Sequence, residues 1–171
     1  MTTMDERPEP PTVSGERPGL ESWLDYHRAT LALKCAGLDD RQLREASTPP
    51  SPLTLMGLVR HMAEVERNWF RRVLTGEESA GPIYYSDEDP DGDIHVTGQD
   101  TWEEAYATWQ TEITAAREAA RGRSLDDRVV HPRHGTEFDL RWIYTHMIEE
   151  YARHNGHADL IRERIDGATG E

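Results

Sequence analysis

Near the C-terminus, the stretch EEYARHNGHADLI sets Glu150, His154 and His157 at offsets of four and three. In a helix those offsets stack the side chains on one face. His146 lies one turn upstream and joins the row. A carboxylate among imidazoles can relay protons near neutral pH or ligate a divalent cation. On a helical wheel the four residues fall within about 80° of one another. Ile143, Ile161, Met147 and Leu140 lie in or beside that sector, whereas Thr145, Glu149, Ala152, Asn155, Gly156, Asp159 and Glu163 take the other side. Ile148 and Leu160 fall outside the apolar sector. The row therefore faces inward, where an ionised carboxylate is costly unless it is paired or bound to a metal.

A second segment, LMGLVRHMAEVERNWF, places His61 on an inward edge with Leu58, Val65 and Trp69. A lone inward histidine reads as a hydrogen-bonded core group, and Arg60 or Arg67 could neutralise Glu150. Taken jointly, an inward histidine facing an inward Glu-x-x-x-His on another helix is better explained by a metal, since bundles build such sites from facing helices. Two nitrogens and one carboxylate oxygen leave a coordination position open, as in catalytic zinc sites. The same donors form the facial triad of non-haem iron oxygenases. A non-catalytic bundle with a polar core is the third reading.

Four helices must position these residues. Leu20, Trp23, Leu24, His27, Leu31, Cys35 and Leu38 recur at helical spacing from Leu20 onward. STPPSPLT breaks the chain and caps a second helix over about residues 54–74. An acidic loop, residues 75–99, leads to a third helix in QDTWEEAYATWQTEITAAREAARG, which ends at Gly122. An irregular or extended piece, SLDDRVVHPRHGTEF, precedes a fourth helix over about residues 140–165, with Gly167 as its stop. Without convincing paired strands, the pattern predicts an all-α four-helix bundle with long inter-helix connections. These connections leave the up-and-down order of the helices open. Residues 1–18, with four prolines among charged and small residues, read as a disordered arm before a single domain at 19–171. Trp23, Trp69, Trp102 and Trp109 fall at inward positions and read as core, one or two of them beside a pocket.

Composition excludes several classes. The formal charge of −14 opposes attraction to nucleic acid or anionic lipid. Mean hydropathy is −0.81, and no apolar run approaches the roughly 18 residues of a membrane span. The N-terminus lacks the basic start and apolar stretch of a secretory signal. The single cysteine, Cys35, precludes an internal disulfide and fits a reducing cytoplasm. DEDPDGDIHVTG starts like a calcium loop, yet Gly98 stands where a bidentate glutamate belongs and Pro90 interrupts it. His131 and His134 lack the neighbouring cysteines or histidines of a zinc finger.

The two segments LMGLVRHMAEVERNWF and RWIYTHMIEEYARHNGHADLIRERIDG resemble the DinB-like superfamily, in particular its actinobacterial branch of mycothiol-dependent and unknown-function proteins. The resemblance implies a four-helix bundle with a metal held by a histidine of the second helix and two ligands of the fourth. Those positions are His61, Glu150 and His154 here. Many such proteins carry histidine at the position of Glu150. The glutamate is similar to that of mycothiol-dependent maleylpyruvate isomerase, which has a further C-terminal domain, whereas this chain ends at Glu171. The resemblance therefore implies a metal-dependent thiol S-transferase, with zinc as the first candidate and nickel, manganese or iron after it. Mycothiol is the implied thiol cosubstrate and a small electrophile the second substrate, with a homodimer as an option. His146 and His157 would be catalytic, hydrogen-bonding the ligands or moving protons.

Overall fold

The computed structural model describes residues 7–170. Its elements are α1 (Glu16–Cys35), α2 (Asp40–Leu43), α3 (Leu55–Glu66, continuing as a π-helical stretch Arg67–Leu74), α4 (Trp102–Ala120), β1 (Arg128–Val130), β2 (Glu137–Asp139) and α5 (Leu140–Asp166). The main helices start where side chains can satisfy orphan N–H groups. Thr54 accepts from the Gly57 amide, Thr101 from Glu104, and Asp139 from Trp142. α5 ends at Gly167, whose positive φ of 77° suits a residue without a Cβ.

Three expectations are corrected. α1 starts at Glu16, so residues 16–18 belong to the bundle rather than to an arm. Pro18 sits in the first turn, where a missing N–H breaks no helical bond, so its presence is compatible with a helix. Residues 7–15 carry no helix or strand, although the Arg7 guanidinium lies 4.3 Å from the centroid of the Tyr26 ring; residues 1–6 of the expected arm lie outside the described residues. The piece before α5 contains an antiparallel hairpin, with Val129 opposite Phe138. Trp23 is 47% exposed, while Trp109 is fully buried as expected.

The fold is an all-α bundle in which α1 packs on α5 and α3 on α4. Cross-helix pairs settle the directions. Arg17 meets Tyr144 at one end of the α1–α5 pair and Lys34 meets Asp159 at the other, so these helices run parallel. Arg60 meets Asp100 just before α4 while Arg71 meets Glu112 within it, so α3 and α4 also run parallel. His61 with His154, and Trp69 with His146, set α3 antiparallel to α5. The order is up-down-down-up. A parallel α3–α4 pair obliges residues 75–101 to travel back along the bundle.

One buried network joins the four long helices. Glu66, with no exposed surface, accepts two 2.8 Å bonds from Arg28 on α1 and a 2.7 Å bond from the Tyr151 hydroxyl on α5. Trp109 on α4 donates its indole N–H to that hydroxyl at 2.8 Å. Burial alone would lower the Arg28 pKa, but the Glu66 carboxylate outweighs it and holds the guanidinium above its ordinary value. Burial, joined by the Glu66 charge, pushes the Tyr151 phenol well up.

Replacing Glu66 by alanine strands a buried guanidinium, and urea denaturation should show a loss of about 3–5 kcal/mol. Tyr151→Phe removes one hydroxyl and should cost about 1–3 kcal/mol. Equal losses from the two variants would contradict the central place of Glu66.

Candidate metal centre

His61 projects from α3 and Glu150 and His154 from α5, and one ligand atom of each lies within 4.8 Å of the others. The His61 and His154 rings meet edge-on at 4.7 Å. Glu150 Oε2 lies 3.4 Å from His154 Nε2, and its Oε1 lies 3.5 Å from His146 Nε2. The hydrogen bond with His154 outweighs burial and, with the nearby imidazoles, holds the Glu150 carboxyl below the usual carboxylate range. The side chains are 13–27% exposed, which leaves the centre reachable.

Neither arginine considered as a partner for Glu150 reaches it. Arg60 binds the Gly92 carbonyl at 2.7 Å and Asp100 at 3.0 Å. Arg67 binds Glu112 at 2.6 Å and the Gly81 carbonyl at 3.1 Å. Among the described residues, the charge partners of Glu150 are imidazoles. Two imidazoles and an ionised carboxylate without a guanidinium counter-ion are a donor set that fits a divalent cation. A second grouping, His146 with Glu149 and Glu150, shares Glu150 and so is not independent. Its Glu149 is exposed and engaged by Arg153.

The acidic loop supplies a residue that the sequence reading missed. Asp93 Oδ2 lies 2.7 Å from His61 Nδ1, which leaves Nε2 as the free ring nitrogen of His61. Carboxylates in this position fix the tautomer and orientation of metal-binding histidines. Burial alone would raise the Asp93 carboxyl, but its bond and charge interaction with His61 and the adjacent amides hold it low. Glu64 anchors the loop by accepting from the Ile83 and Tyr84 amides at 2.7 and 2.6 Å. Arg60 adds the bond to Gly92 and a contact with the Tyr84 ring at 4.3 Å. Gly92 itself is required by close packing, because a Cβ there would sit 2.4 Å from the Tyr84 carbonyl oxygen.

His157 plays a comparable part for His154, with their Nδ1 atoms 3.3 Å apart. Burial and the neighbouring His154 push the His157 pKa down. His146 stacks on Trp142 at 4.9 Å and meets Trp69 edge-on at 4.8 Å. Trp69 in turn contacts Phe138 of the hairpin at 5.3 Å, so the hairpin braces this aromatic row. His131 and His134 stack on each other at 3.8 Å and His131 meets Trp69 edge-on at 6.1 Å, but neither belongs to the three-donor cluster. Cys35 is buried, which pushes its thiol up to about 12 and disfavours the reactive thiolate.

A cavity of about 510 Å³ opens onto His61 and His154. Leu53, Val65, Trp69 and Ile94 give it apolar walls; Asn68, Tyr85 and Asp91 add hydrogen-bonding groups. His146 and His157 do not line it. A family profile described as mycothiol-S-transferase matches residues 19–167. The chain belongs to the mycothiol-S-transferase family. This places the DinB-like resemblance of the two histidine-bearing segments within a named branch, and the match spans both the bundle and the centre. No match is found among curated proteins. No helix of the described residues is long and apolar enough to cross a membrane.

Gly92→Ala should dislodge the loop that carries Asp93. A urea midpoint corresponding to a loss of about 1–3 kcal/mol is expected from the overpacking. An unchanged midpoint would show that the Gly92–Tyr84 approach is not a constraint.

Proposed function

We propose that this protein is a mycothiol S-transferase in which His61, Glu150 and His154 hold a divalent cation, zinc first, then nickel, manganese or iron. The observation that carries the reading is the convergence of these three donors, with His61 and His154 on the cavity wall and Glu150 beside them free of any arginine. Membership in the family supports mycothiol as the thiol. A bound cation supplies the Lewis acidity that keeps a thiol ionised at neutral pH, against an ordinary pKa of about 8.5.

The chain's own groups then have separable tasks. Asp93 fixes His61 so that Nε2 is its free nitrogen, and His157 restrains the ring of His154. His146 contacts Glu150 and stands outside the cavity lining, so it and His157 act as positioning residues rather than as groups that touch substrate. Trp69, Val65 and Ile94 offer the electrophile an apolar bed. The thiolate sulfur forms a bond to the electrophilic carbon as the leaving group departs with its electron pair; the thiol proton passes to solvent.

Chelation should abolish conjugate formation between mycothiol and a model electrophile, and added zinc should restore it. Metal content measured by elemental analysis should vanish in the His61→Ala/His154→Ala double variant. With glutathione and bacillithiol run alongside, mycothiol should give the fastest turnover. No rate above the uncatalysed reaction with any of the three thiols would overturn the transferase reading.

Asp93→Asn should lower metal affinity by about 10–100-fold in chelator competition. The fold should be retained, because Asp93 bonds His61 and its neighbouring amide rather than the buried network. Wild-type affinity in this variant would remove Asp93 from the centre.

A further inference from the structure

A second cavity, of about 540 Å³, lies between α1, α4 and the start of α5 and shares no lining residue with the one at the metal centre. Arg17, Arg28, Arg117, Arg121 and Arg123 line it. That convergence stands out in a chain with 19 lysines and arginines against 33 acidic residues. The acids nearby do not balance it. Glu21 pairs with Arg17, Asp25 is shared by Arg28 and Arg117, and Glu118 serves Arg121. Arg28 is also committed to Glu66, outside the lining, and acts as fixed structure rather than as a free donor.

The donors left over belong to Arg117, Arg121 and Arg123; Arg121 uses only Nη2, on Glu118, and is the most exposed of the three, so the other two carry the site. Arg123 bonds the Ala119 carbonyl through Nε, and its two Nη groups have no partner among the described residues. Arg117 uses only Nη2, on Asp25. Arg17 is held in place by the Ala120 and Arg123 carbonyls, which keeps the wall rigid. Leu24 and Phe70 supply an apolar floor, and the Tyr144 hydroxyl sits beside Arg17. Planar guanidinium forks bind carboxylate and phosphate oxygens in pairs of parallel hydrogen bonds.

We propose that this cavity binds a small organic dianion, a phosphate monoester or a dicarboxylate, whose charged end is held by Arg117 and Arg123 and whose apolar part rests on Leu24 and Phe70. The site is independent of the metal centre and of the transferase reading. Exposed guanidiniums are screened by salt, so affinity should fall as ionic strength rises.

The test is isothermal titration of the full, metal-loaded chain with phenyl phosphate, succinate and inorganic phosphate at low ionic strength. One of the two organic dianions should bind at a single site and more tightly than inorganic phosphate, which cannot use the apolar floor; which of them binds distinguishes phosphate from carboxylate. Arg117→Gln/Arg123→Gln should weaken that binding at least about tenfold, and Arg117→Lys/Arg123→Lys should recover part of it. Should the double glutamine variant fold poorly, Arg123→Gln alone carries the comparison, since that side chain bonds only a helix carbonyl. Absence of binding up to about 10 mM, or binding that the glutamine variants leave unchanged, would overturn the proposal.

Discussion

The carboxylate of Glu66 is the constraint around which the bundle is arranged. It is wholly enclosed, and an unpaired charge in that position would be prohibitive. Three donors therefore have to meet it or stand behind it, and they come from three different helices: Arg28, Tyr151 and, through Tyr151, Trp109. Apolar packing alone tolerates sliding of one helix along another. A buried carboxylate with directional partners fixes their register. Tyr151 is the residue after Glu150, so fixing Tyr151 also fixes the height at which Glu150 faces His61. The stability network and the candidate metal centre thus share one stretch of α5.

The topology explains why the centre has a loop residue at all. With α3 and α4 parallel, the connection between them must return along the bundle, and it does so over α3. Glu64 and Arg60 face that path and anchor it by its own backbone, at the Ile83 and Tyr84 amides and the Gly92 carbonyl. The next residue after Gly92 is Asp93, beside His61. A segment needed for connectivity therefore also orients a histidine. The widening of α3 into a π-helical stretch at Arg67 has a comparable local effect, with Phe70 buried in the core while Trp69 lines the cavity.

What the sequence revealed follows from periodicity. α5 is long and its inward row is regular, so His61, Glu150 and His154 could be brought together before any coordinates, as could the termini of α3, α4 and α5. Periodicity failed where charge is buried. The apolar stripe does not single out Glu64 or Glu66, and it offers Arg60 only as a partner for Glu150, whereas all three are buried, each with a different specific partner. Asn155 was placed on the outer face but is buried, donating to the His27 carbonyl at 3.0 Å. Asp93 gave no signal, because its loop has no repeat and its aspartates resemble a calcium loop more than a histidine partner. The Asp-rich spacing was real, but its use depends on a tertiary path that one strand of sequence does not encode locally.

The disposition of arginines gives the centre its chemical character. α3 carries Arg60, Arg67 and Arg71, any of which is long enough to quench a nearby carboxylate. Each is already committed: Arg60 to Asp100 and Gly92, and Arg67 and Arg71 to the buried Glu112. Glu112 on α4 draws two guanidiniums away from the face that α3 turns toward α5. Glu150 is thereby left half-buried among imidazoles, ionised and without a permanent counter-ion. A carboxylate in that condition is stabilised by a cation from solution more than by any rearrangement of the fold. The ion pairs that hold α3 to α4 thus keep the centre's negative charge available.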